Sequence, residues 1–480
     1  MRKAKILATL GPATREPAVI EALLRAGVNG VRINMSHGAQ AEKAEDIQRA
    51  RDAAKKLNLP LAVLVDLSGP KIRTGALKGG QPVKLEAGVI FAITTRPVAG
   101  DEHEVSTNYP DLARVVQPGA RLLLDDGAIE LRAEETNKTD VICRVINGGV
   151  LGERKGINLP GVPLPIASLT EKDRSDLRWA VEQDVDYIAL SFVRRAEDCV
   201  DAKKLIAEAG GHQPLVAKIE KSEAIDHLEE IIDAADAVMV ARGDLGVETS
   251  VELVPVYQKR IIESAILAGK MVITATQMLQ SMVSNPRPTR AEASDVANAV
   301  WDGSDAVMLS NETATGSYPI PAVTTMARII ETAEAGGRPD PEAHAKCVGR
   351  QSGRISRALC EAAVFAAEEM GTQITAVFTQ SGLMARRLSA LRPKQRIIAL
   401  TGLGTVLNEL ALIWGVEPMI TEAAETTEGM LNAGEKTLVE AGVVMKGEVI
   451  VIMAGRLSGL GLSTSVRIYT IGGDANPIGR

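Results

Sequence analysis

The sequence predicts an α/β protein: a (β/α)8 TIM barrel with an inserted small β-barrel lid domain and a C-terminal open α/β domain. Short runs rich in Val, Ile and Leu alternate with amphipathic segments, as a parallel sheet with crossover helices requires. Eight such runs lie outside one interruption of different texture, and each ends in polar residues. The discontinuous barrel is therefore expected at 1–69 and 169–337, the insert at 70–168 and the last domain at 342–480.

Composition fits a globular protein of two or three domains, since the 480 residues are 45% hydrophobic and 24% charged. A formal charge of -7 without long basic runs, and only 2% aromatic residues, argue against nucleic acid or an anionic membrane as partner. The four cysteines are scattered, as in a reduced protein. No run of 18 apolar residues is found. We therefore expect a cytoplasmic protein.

The barrel prediction rests on eight apolar runs that are nearly continuous, as strands buried on both faces require. The predicted strands are 5–9, 30–33, 61–66, 187–191, 215–219, 237–241, 271–275 and 306–309. Amphipathic segments between them predict helices at 17–26, 41–57, 171–182, 251–268 and 290–302.

Polar side chains close each predicted strand at its C-terminal end. In chain order they are Thr9; Arg32, Asn34 and Ser36; Asp66; Ser191; Lys218 and Glu220; Arg242 and Asp244; Thr276; and Ser310 and Glu312. In barrels of this type the C-terminal mouth carries the active site. Stability alone does not require a full ring of polar residues there, so the pattern favours an enzyme.

The stretch 215–248 concentrates this chemistry. Lys218 and Glu220 are two residues apart on one strand and leave the same face. The next strand ends in Arg242, Gly243 and Asp244, where the glycine permits close approach of backbone or ligand. Two carboxylates with a cation suit Mg2+ and substrate oxygens. An internal salt bridge that fills the barrel mouth is the alternative interpretation.

The insert is punctuated by Gly and Pro and contains strand-like pieces at 81–85, 89–94, 121–124, 128–133 and 139–145. This pattern predicts a small antiparallel β domain. Because it leaves and re-enters at the barrel mouth, it is placed to act as a lid that expels water. Its junctions are charged, with Lys71 and Arg73 on one side and Arg154 and Lys155 on the other.

A Gly- and Pro-rich linker at 336–341 precedes the C-terminal domain. Helices are predicted there at 353–370, 383–391, 405–414 and 428–441. The predicted strands are 374–379, 397–401, 417–421, 448–454 and 466–471.

The charge inventory of the mouth indicates phosphoryl chemistry. No P-loop and no protein-kinase signature occurs. The mouth offers four cations, Arg32, Arg73, Lys155 and Lys218, and three carboxylates, Asp66, Glu220 and Asp244. Such a set suits a multiply anionic phosphorylated substrate with bridging Mg2+, because phosphoryl transfer depends mainly on positioning and charge neutralisation.

Motifs along the chain resemble the pyruvate kinase family over nearly its whole length. They are Asn-Met-Ser-His-Gly at 34–38, Asp-Leu-Ser-Gly-Pro-Lys-Ile-Arg-Thr-Gly at 66–75, Lys-Gly-Ile-Asn-Leu-Pro-Gly at 155–161, Lys-Ile-Glu at 218–220, Ala-Arg-Gly-Asp-Leu-Gly at 241–246, and Ala-Thr-Gln-Met-Leu through Pro-Arg-Pro-Thr-Arg-Ala-Glu at 275–292. The resemblance implies transfer of a phosphoryl group from phosphoenolpyruvate to ADP, giving pyruvate and ATP.

The resemblance also implies roles for the mouth residues. Glu220 and Asp244 would hold Mg2+, or Mn2+ in its place. Lys218 would neutralise the phosphoryl in flight and the enolate, and Arg32 would grip the substrate phosphate.

Near the carboxylate and methylene end of the substrate, the family pattern implies the backbone of Gly243 and the hydroxyl of Thr276, which would help to protonate the enolate. Arg73 and Lys155 would bind nucleotide phosphates. A homotetramer is likewise expected from the family.

Two departures from the family pattern matter. In many members K+ sits among residues matching Asn34, Ser36, Asp66 and the carbonyl at 67, with an acid at 71 and Thr at 67. Here these positions are Lys71 and Leu67. A lysine ammonium supplies the same charge, so we expect Lys71 to replace the ion and the enzyme to belong to the potassium-independent branch.

The effector loop of the last domain is the second departure. It reads Thr379-Gln380-Ser381-Gly382-Leu383-Met384. Ser381 and Gly382 at a strand-to-helix turn still form a phosphate-cradling amide site. The basic and hydroxyl residues usual in binders of fructose 1,6-bisphosphate are replaced, so a sugar monophosphate or AMP is at least as plausible. A loop that binds nothing is the alternative.

Two other functions are compatible with part of this pattern. A Mg2+-dependent barrel lyase or aldolase acting on pyruvate or an enolate could use similar residues, but it has no second phosphate chain to hold with Arg73 and Lys155. A non-catalytic regulatory homologue would normally have lost Lys218, Glu220 or Asp244, and all three are present.

Overall fold

The computed structural model describes residues 2–162, 164–337, 354–424, 426–458 and 461–473. Its first segment alternates strands and helices: β1 (Lys5–Thr9), α1 (Pro17–Ala26), β2 (Gly30–Asn34), α2 (Gln40–Leu57) and β3 (Ala62–Asp66). Helix α1 begins with Pro17 in its first turn and ends at Gly27, whose φ of 113° suits only glycine. The sequence thus places both helix ends.

An inserted β domain follows β3. Its elements are β4 (Val83–Leu85), β5 (Ile90–Thr94), β6 (Glu104–Ser106), α3 (Leu112–Val115), β7 (Arg121–Leu124), β8 (Ile129–Thr136), β9 (Asp140–Asn147), β10 (Gly149–Leu151) and β11 (Ile157–Asn158). They form a six-stranded sheet of order β11-β7-β8-β9-β5-β6 and a two-stranded ribbon of β10 and β4. The pairing is antiparallel except between β5 and β6.

The chain then completes the barrel. The elements are α4 (Glu171–Glu182), β12 (Tyr187–Leu190), α5 (Ala196–Glu208), β13 (Leu215–Ile219), α6 (Ser222–Asp226), α7 (Leu228–Ala234), β14 (Ala237–Ala241), α8 (Arg242–Glu248), α9 (Val254–Leu267), β15 (Met271–Ala275), α10 (Arg290–Asp302), β16 (Ala306–Leu309), α11 (Asn311–Ala314) and α12 (Pro319–Ala335). Short 3-10 turns lie at Pro12–Thr14, Lys78–Gly80, Val251–Leu253 and Gln280–Val283.

Eight parallel strands close into a barrel of order β1-β16-β15-β14-β13-β12-β3-β2. Side chains alternate along each strand: Ile6 and Ala8 pack beneath the helices, and Leu7 between them points into the barrel. The predicted (β/α)8 barrel is thereby confirmed. Because all strands run the same way, their polar C-terminal residues meet at one mouth.

The last domain contains α13 (Arg354–Glu369), β17 (Ile374–Phe378), α14 (Leu383–Ala390), β18 (Arg396–Thr401), α15 (Gly404–Leu410), β19 (Val416–Ile420), α16 (Thr427–Glu440), β20 (Val449–Ser458) and β21 (Gly461–Thr470). Its sheet has the order β19-β18-β17-β20-β21, with only β20 and β21 antiparallel. The predicted open α/β domain is therefore present. The linker predicted at 336–341 and the domain start at 342 fall largely outside the described residues.

This domain is fixed to the N-terminal end of the barrel. Leu7 and Tyr187 inside the barrel belong to one buried cluster with Leu388 and Leu412 of the last domain. The Tyr187 hydroxyl donates to the Glu409 carbonyl at 2.7 Å. The two domains thus share a core at the end opposite the mouth.

Several predicted bounds need correction. The helix expected at 251–268 is a 3-10 turn followed by α9, because Pro255 fits only the first turn of an α-helix. The helix expected at 405–414 ends at Leu410, and the last hairpin is longer than predicted. Among the described residues no helix combines the length and apolarity that crossing a membrane requires.

Candidate active site

Arg32 and Asp66 form the first fixed pair at the mouth. Asp66 is buried at the end of β3, and its Oδ2 accepts from Arg32 Nε at 2.7 Å and lies 2.6 Å from Nη2. Arg32 Nη1 also donates to Thr9 Oγ1 at 3.2 Å. Burial alone would raise the pKa of Asp66, but Lys218 and Arg32 outweigh it and hold that pKa below its ordinary value. These contacts therefore fix the orientation of the guanidinium.

Lys218 lies at the centre of the charges. Its ammonium donates to Ser191 Oγ at 2.6 Å and lies 3.3 Å from both Asp66 Oδ1 and Glu220 Oε2. Burial alone would lower the pKa of Lys218, but Asp66, Glu220 and Asp244 raise it above the ordinary lysine value. The side chain is only 11% exposed, yet it stays protonated.

Glu220 and Asp244 are the candidate metal ligands. Glu220 is buried, and its Oε1 accepts from the Phe192 amide at 2.7 Å. Among the described residues its Oε2 accepts no hydrogen bond, and it lies 3.3 Å from Lys218 Nζ. Burial raises the pKa of Glu220, Asp244 adds to the rise and Lys218 opposes it.

The donor set fits Mg2+, which takes one or two carboxylates and completes its shell with water and substrate oxygens. A buried carboxylate oxygen without a hydrogen bond is costly and requires an explanation, which a cation would supply. In the part of the chain that the structure describes, no group of three or more His, Cys, Asp or Glu side chains is arranged for a metal.

Thr276 and Gly243 meet across neighbouring strands. The Gly243 amide donates to Thr276 Oγ1 at 2.7 Å, and that hydroxyl donates to the Ala275 carbonyl at 2.6 Å. Thr276 has a φ of 70°, which is rare for a β-branched residue. Strain of this kind concentrates at functional sites.

Two polar residues predicted at the mouth serve the scaffold instead. Arg242 turns to Asp295, with Nη1 2.6 Å from Oδ1, and donates to the Thr276 carbonyl at 2.7 Å. Glu312 is buried and accepts from the amides of Leu279 and Ser310. Position in the sequence alone does not distinguish such structural residues from residues that face a ligand.

The residues of the predicted cation region lie together, and the Lys71 side chain lies against the segment by which the chain returns from the insert. Ser36 N donates to Asn34 Oδ1 at 3.0 Å, and Ser191 Oγ donates to the Leu67 carbonyl at 2.8 Å. The Lys71 side chain lies against Gly156, where an added Cβ would come within 3.3 Å of its Cε. Among the described contacts, no hydrogen bond or ion pair joins Lys71 to Asn34, Ser36 or Asp66.

The chain enters the insert near Arg73 and returns near Lys155, and these two connecting segments, here called the crossings, pair with each other at the neck of the insert. Arg73 forms an antiparallel bridge with Gly156, and Thr74 N donates to the Lys155 carbonyl at 2.8 Å. Lys155 Nζ is 3.0 Å from Asp125, and both side chains are partly exposed. The structure therefore brings both predicted phosphate-binding cations to the neck of the insert.

Ser381 and Gly382 lie far from this mouth. Gly382 has a φ of 73° and precedes α14. Its amide donates a hydrogen bond to Thr379 Oγ1 at 2.9 Å. Ser381 lines a cavity of about 730 Å³ between the last domain and the N-terminal end of the barrel. Cationic side chains on its wall include Lys270, Arg357 and Arg386.

Sequence reasoning missed the contacts of Phe192, Lys221, Glu248 and Asn158. Lys221 Nζ and Glu248 Oε1 form a buried pair at 2.7 Å, and Asn158 of the insert donates to the same oxygen. No residue spacing indicated this, since the three lie on separate segments. Only the position of Lys221 directly after Glu220 could have singled it out.

Comparison with known proteins assigns both halves of the chain. Residues 1–323 match the family model "Pyruvate kinase, barrel domain", and residues 357–468 match "Pyruvate kinase, alpha/beta domain". The chain is 44% identical over 468 residues to pyruvate kinase 2 of Synechocystis sp., covering 97% of this chain and 78% of that one. It is 41% identical to the pyruvate kinase of Clostridium acetobutylicum, covering 95% of this chain and 96% of that one.

A solved structure agrees. The crystal structure of a pyruvate kinase from Cryptosporidium parvum aligns with a TM-score of 0.90 at 34% identity, covering 98% of this chain and 96% of that chain.

Proposed function

This chain belongs to the pyruvate kinase family, and we propose that the C-terminal mouth of its barrel is where it carries out the family's reaction. Members are phosphotransferases that move a phosphoryl group from phosphoenolpyruvate to ADP and give pyruvate and ATP. The observation that carries the proposal is the central Lys218, which stays protonated between two buried carboxylates and beside the anchored Arg32. Cations already in position stabilise charge without reorganising during the reaction.

Arg32 and Lys218 would bind the phosphate of phosphoenolpyruvate. Asp66 contacts both cations and so fixes the distance between them. Lys218, with three carboxylates around it, would remain charged while the phosphoryl group moves and negative charge collects on the enolate oxygen.

The Gly243 amide and the Thr276 hydroxyl would receive the carboxylate and methylene end of the substrate, with Asp244 beside them. Thr276 Oγ1 already exchanges hydrogen bonds with Gly243 and Ala275. A hydroxyl in such a chain can hold a proton and release it towards the methylene carbon, which would turn enolate into ketone.

Glu220 and Asp244 would hold Mg2+, with Mn2+ able to replace it. When bound, the ion would neutralise charge and bridge substrate oxygens. Oε2 of Glu220 accepts no hydrogen bond in the described part of the chain, so a bound cation would give it a second partner beside Lys218.

Arg73 and Lys155 would bind the phosphates of ADP at the neck of the insert. Lys155 would exchange Asp125 for a phosphate oxygen, and the exposed pair costs little to break. The inserted domain would then act as a lid over the mouth.

Lys71 would make K+ unnecessary. Its side chain lies against Gly156, and it would turn from there towards Asn34, Ser36, Asp66 and the Leu67 carbonyl. A flexible lysine stem permits such a movement.

A phosphorylated small molecule would regulate the enzyme at Ser381 and Gly382. The neighbouring cavity offers cations for a phosphate and room for a sugar or nucleoside, so AMP, a sugar monophosphate and fructose 1,6-bisphosphate all stay candidates.

We further propose a cytoplasmic homotetramer, with domain bounds at 1–69 with 169–337, 70–168 and 342–480. Exposed apolar residues support two subunit contacts: Val251 and Val256 on the barrel are 77% and 60% exposed, and Ile355 and Phe365 on α13 are 77% and 65% exposed.

A coupled assay of pyruvate formation tests the proposal. Phosphoenolpyruvate, ADP and Mg2+ should support turnover with and without K+. Turnover only with K+ would refute the role of Lys71, and no turnover in either buffer would refute the active-site assignment.

A further inference from the structure

Phe192 connects the candidate metal carboxylate to the backbone of the barrel rim. It follows Ser191 at the end of β12 and has a φ of 59°, a region that bulky side chains rarely adopt. Its amide donates to Glu220 Oε1 at 2.7 Å. Any displacement of Phe192 therefore changes the hydrogen bond that orients Glu220.

The ring of Phe192 touches the outgoing crossing of the inserted domain. Gly69, with a φ of 67°, directly precedes Pro70, and a Cβ at Gly69 would lie 2.4 Å from the ring. The ring therefore fills the space that a side chain at Gly69 would occupy. Movement of this crossing would displace the ring, because packed interiors transmit small shifts.

A second contact of the ring, through Lys221 and Glu248, leads to strand β11, by which the chain returns from the insert. Lys221 Nζ lies 5.1 Å from the ring centroid, within range for a cation–π contact. The same ammonium pairs with Glu248 Oε1 at 2.7 Å, with the two side chains 9% and 3% exposed. Asn158 Nδ2, from β11 of the insert, donates to that oxygen at 2.7 Å.

We propose that Asn158, Glu248, Lys221 and Phe192 are positioning residues that link the docking of the inserted domain to the orientation of Glu220. Asn158 donates to Glu248, and Glu248 holds Lys221 over the Phe192 ring. The packed ring in turn fixes the position of the Phe192 amide, which donates a hydrogen bond to Glu220. The inference rests on the proposed function in one respect, the assignment of Glu220 as a metal ligand.

The linkage has a reciprocal consequence. If docking of the insert orients Glu220, then a cation on Glu220 favours the docked insert to the same extent, because coupling between two equilibria is mutual. Metal binding and lid closure would then support each other before chemistry begins. A pair that only stabilises the neck would affect unfolding and leave metal affinity unchanged.

Mn2+ binding to the full-length protein, followed by electron paramagnetic resonance without substrate, separates these cases. Asn158→Ala should raise the dissociation constant of Mn2+ about tenfold, the lower end of the range for groups that support metal ligands. Asn137→Ala is the matched control, because Asn137 bonds only within a turn of the same domain. It should leave the constant within about twofold of the parent.

Glu220→Gln separates failure of the linkage from failure of the metal assignment. If Glu220→Gln binds Mn2+ as tightly as the parent, the metal assignment is wrong. If Glu220→Gln loses Mn2+ while Asn158→Ala and Asn137→Ala both match the parent, the linkage alone is wrong.

A second variant guards against misfolding of Asn158→Ala. Glu248→Gln keeps an acceptor for Asn158 but removes the charge that holds Lys221, and it should weaken Mn2+ binding as well. Amide hydrogen exchange at Phe192 should rise in both variants at temperatures well below unfolding. Unchanged exchange at Phe192 with unchanged Mn2+ affinity would overturn the proposal.

Discussion

Asp66→Asn should lower both folding stability and activity, because Asp66 contacts two cations at the mouth. Asp66 Oδ2 faces Arg32 at 2.6 and 2.7 Å, and Oδ1 faces Lys218 at 3.3 Å. Asparagine has the same size, but its amide NH2 would point at a cation in either orientation. One donor would then face another, Arg32 would lose its counter-ion, and Lys218 would keep only Glu220 of its two paired carboxylates.

The expected loss of folding stability is about 3–5 kcal/mol, the usual effect of removing one partner from a buried ion pair. Asp101→Asn is the matched control: its partner Lys78 is 67% exposed, so its loss should cost at most about 1 kcal/mol. The stabilisation of the fold that depends on the negative charge of Asp66 varies with pH. Because Asp66 has a lowered pKa in the folded state, this stabilisation is present at neutral pH and is lost as pH falls below roughly 3.9 towards the folded value.

Urea unfolding followed by tryptophan fluorescence measures this loss, since Trp179 and Trp301 lie on barrel helices α4 and α10. Pyruvate formation should fall at least about 100-fold in kcat/KM, because Arg32 and Lys218 lose their common anchor. A free energy of unfolding for Asp66→Asn within about 1 kcal/mol of the parent, as expected for Asp101→Asn, would show that the mouth does not depend on this carboxylate.

Three further substitutions test the buried Asp186, the role of Lys71 and the role of Thr276. Burial raises the pKa of Asp186 to about 7, so the parent loses stability as pH rises from about 4 to 7. Asp186→Asn should exceed the parent in urea unfolding by up to about 4 kcal/mol at pH 8 and match it near pH 4; a less stable variant at pH 8 would contradict this. Lys71→Glu should make turnover dependent on added K+. Equal activity of this variant with and without K+ would show that position 71 does not determine K+ dependence. Thr276→Val leaves the Gly243 amide without its acceptor and should cost about 1–3 kcal/mol in unfolding free energy. It should also lower kcat more than it changes KM for phosphoenolpyruvate; an unchanged kcat in steady-state assays would remove Thr276 from proton delivery.

The barrel and much of the mouth could be predicted because they depend on local patterns. Apolar runs followed by polar residues identify the strand ends, and parallel strands bring those ends together whatever the loops do. Lys218 and Glu220 needed only the two-residue repeat of a strand to be placed side by side.

The remaining features depend on contacts between distant segments. Arg242 turns to Asp295 on α10, and the sequence gives no sign of that partner. The direction of the Lys71 side chain depends on Gly156, which reaches it only through the pairing of the two crossings. Asn158 and Glu248 meet for the same reason.

Lys218 would supply the charge that stabilises the transferred phosphoryl group and the enolate, and the proposed function depends on this role above all others. The most direct test compares kcat of the parent and Lys218→Met in the coupled pyruvate assay, with Mn2+ affinity and fluorescence spectra as checks of the folded site. If Lys218 has this role, kcat should fall about 1000-fold or more while Mn2+ still binds, as expected when a positioned charge is removed. A variant within about tenfold of the parent would contradict it.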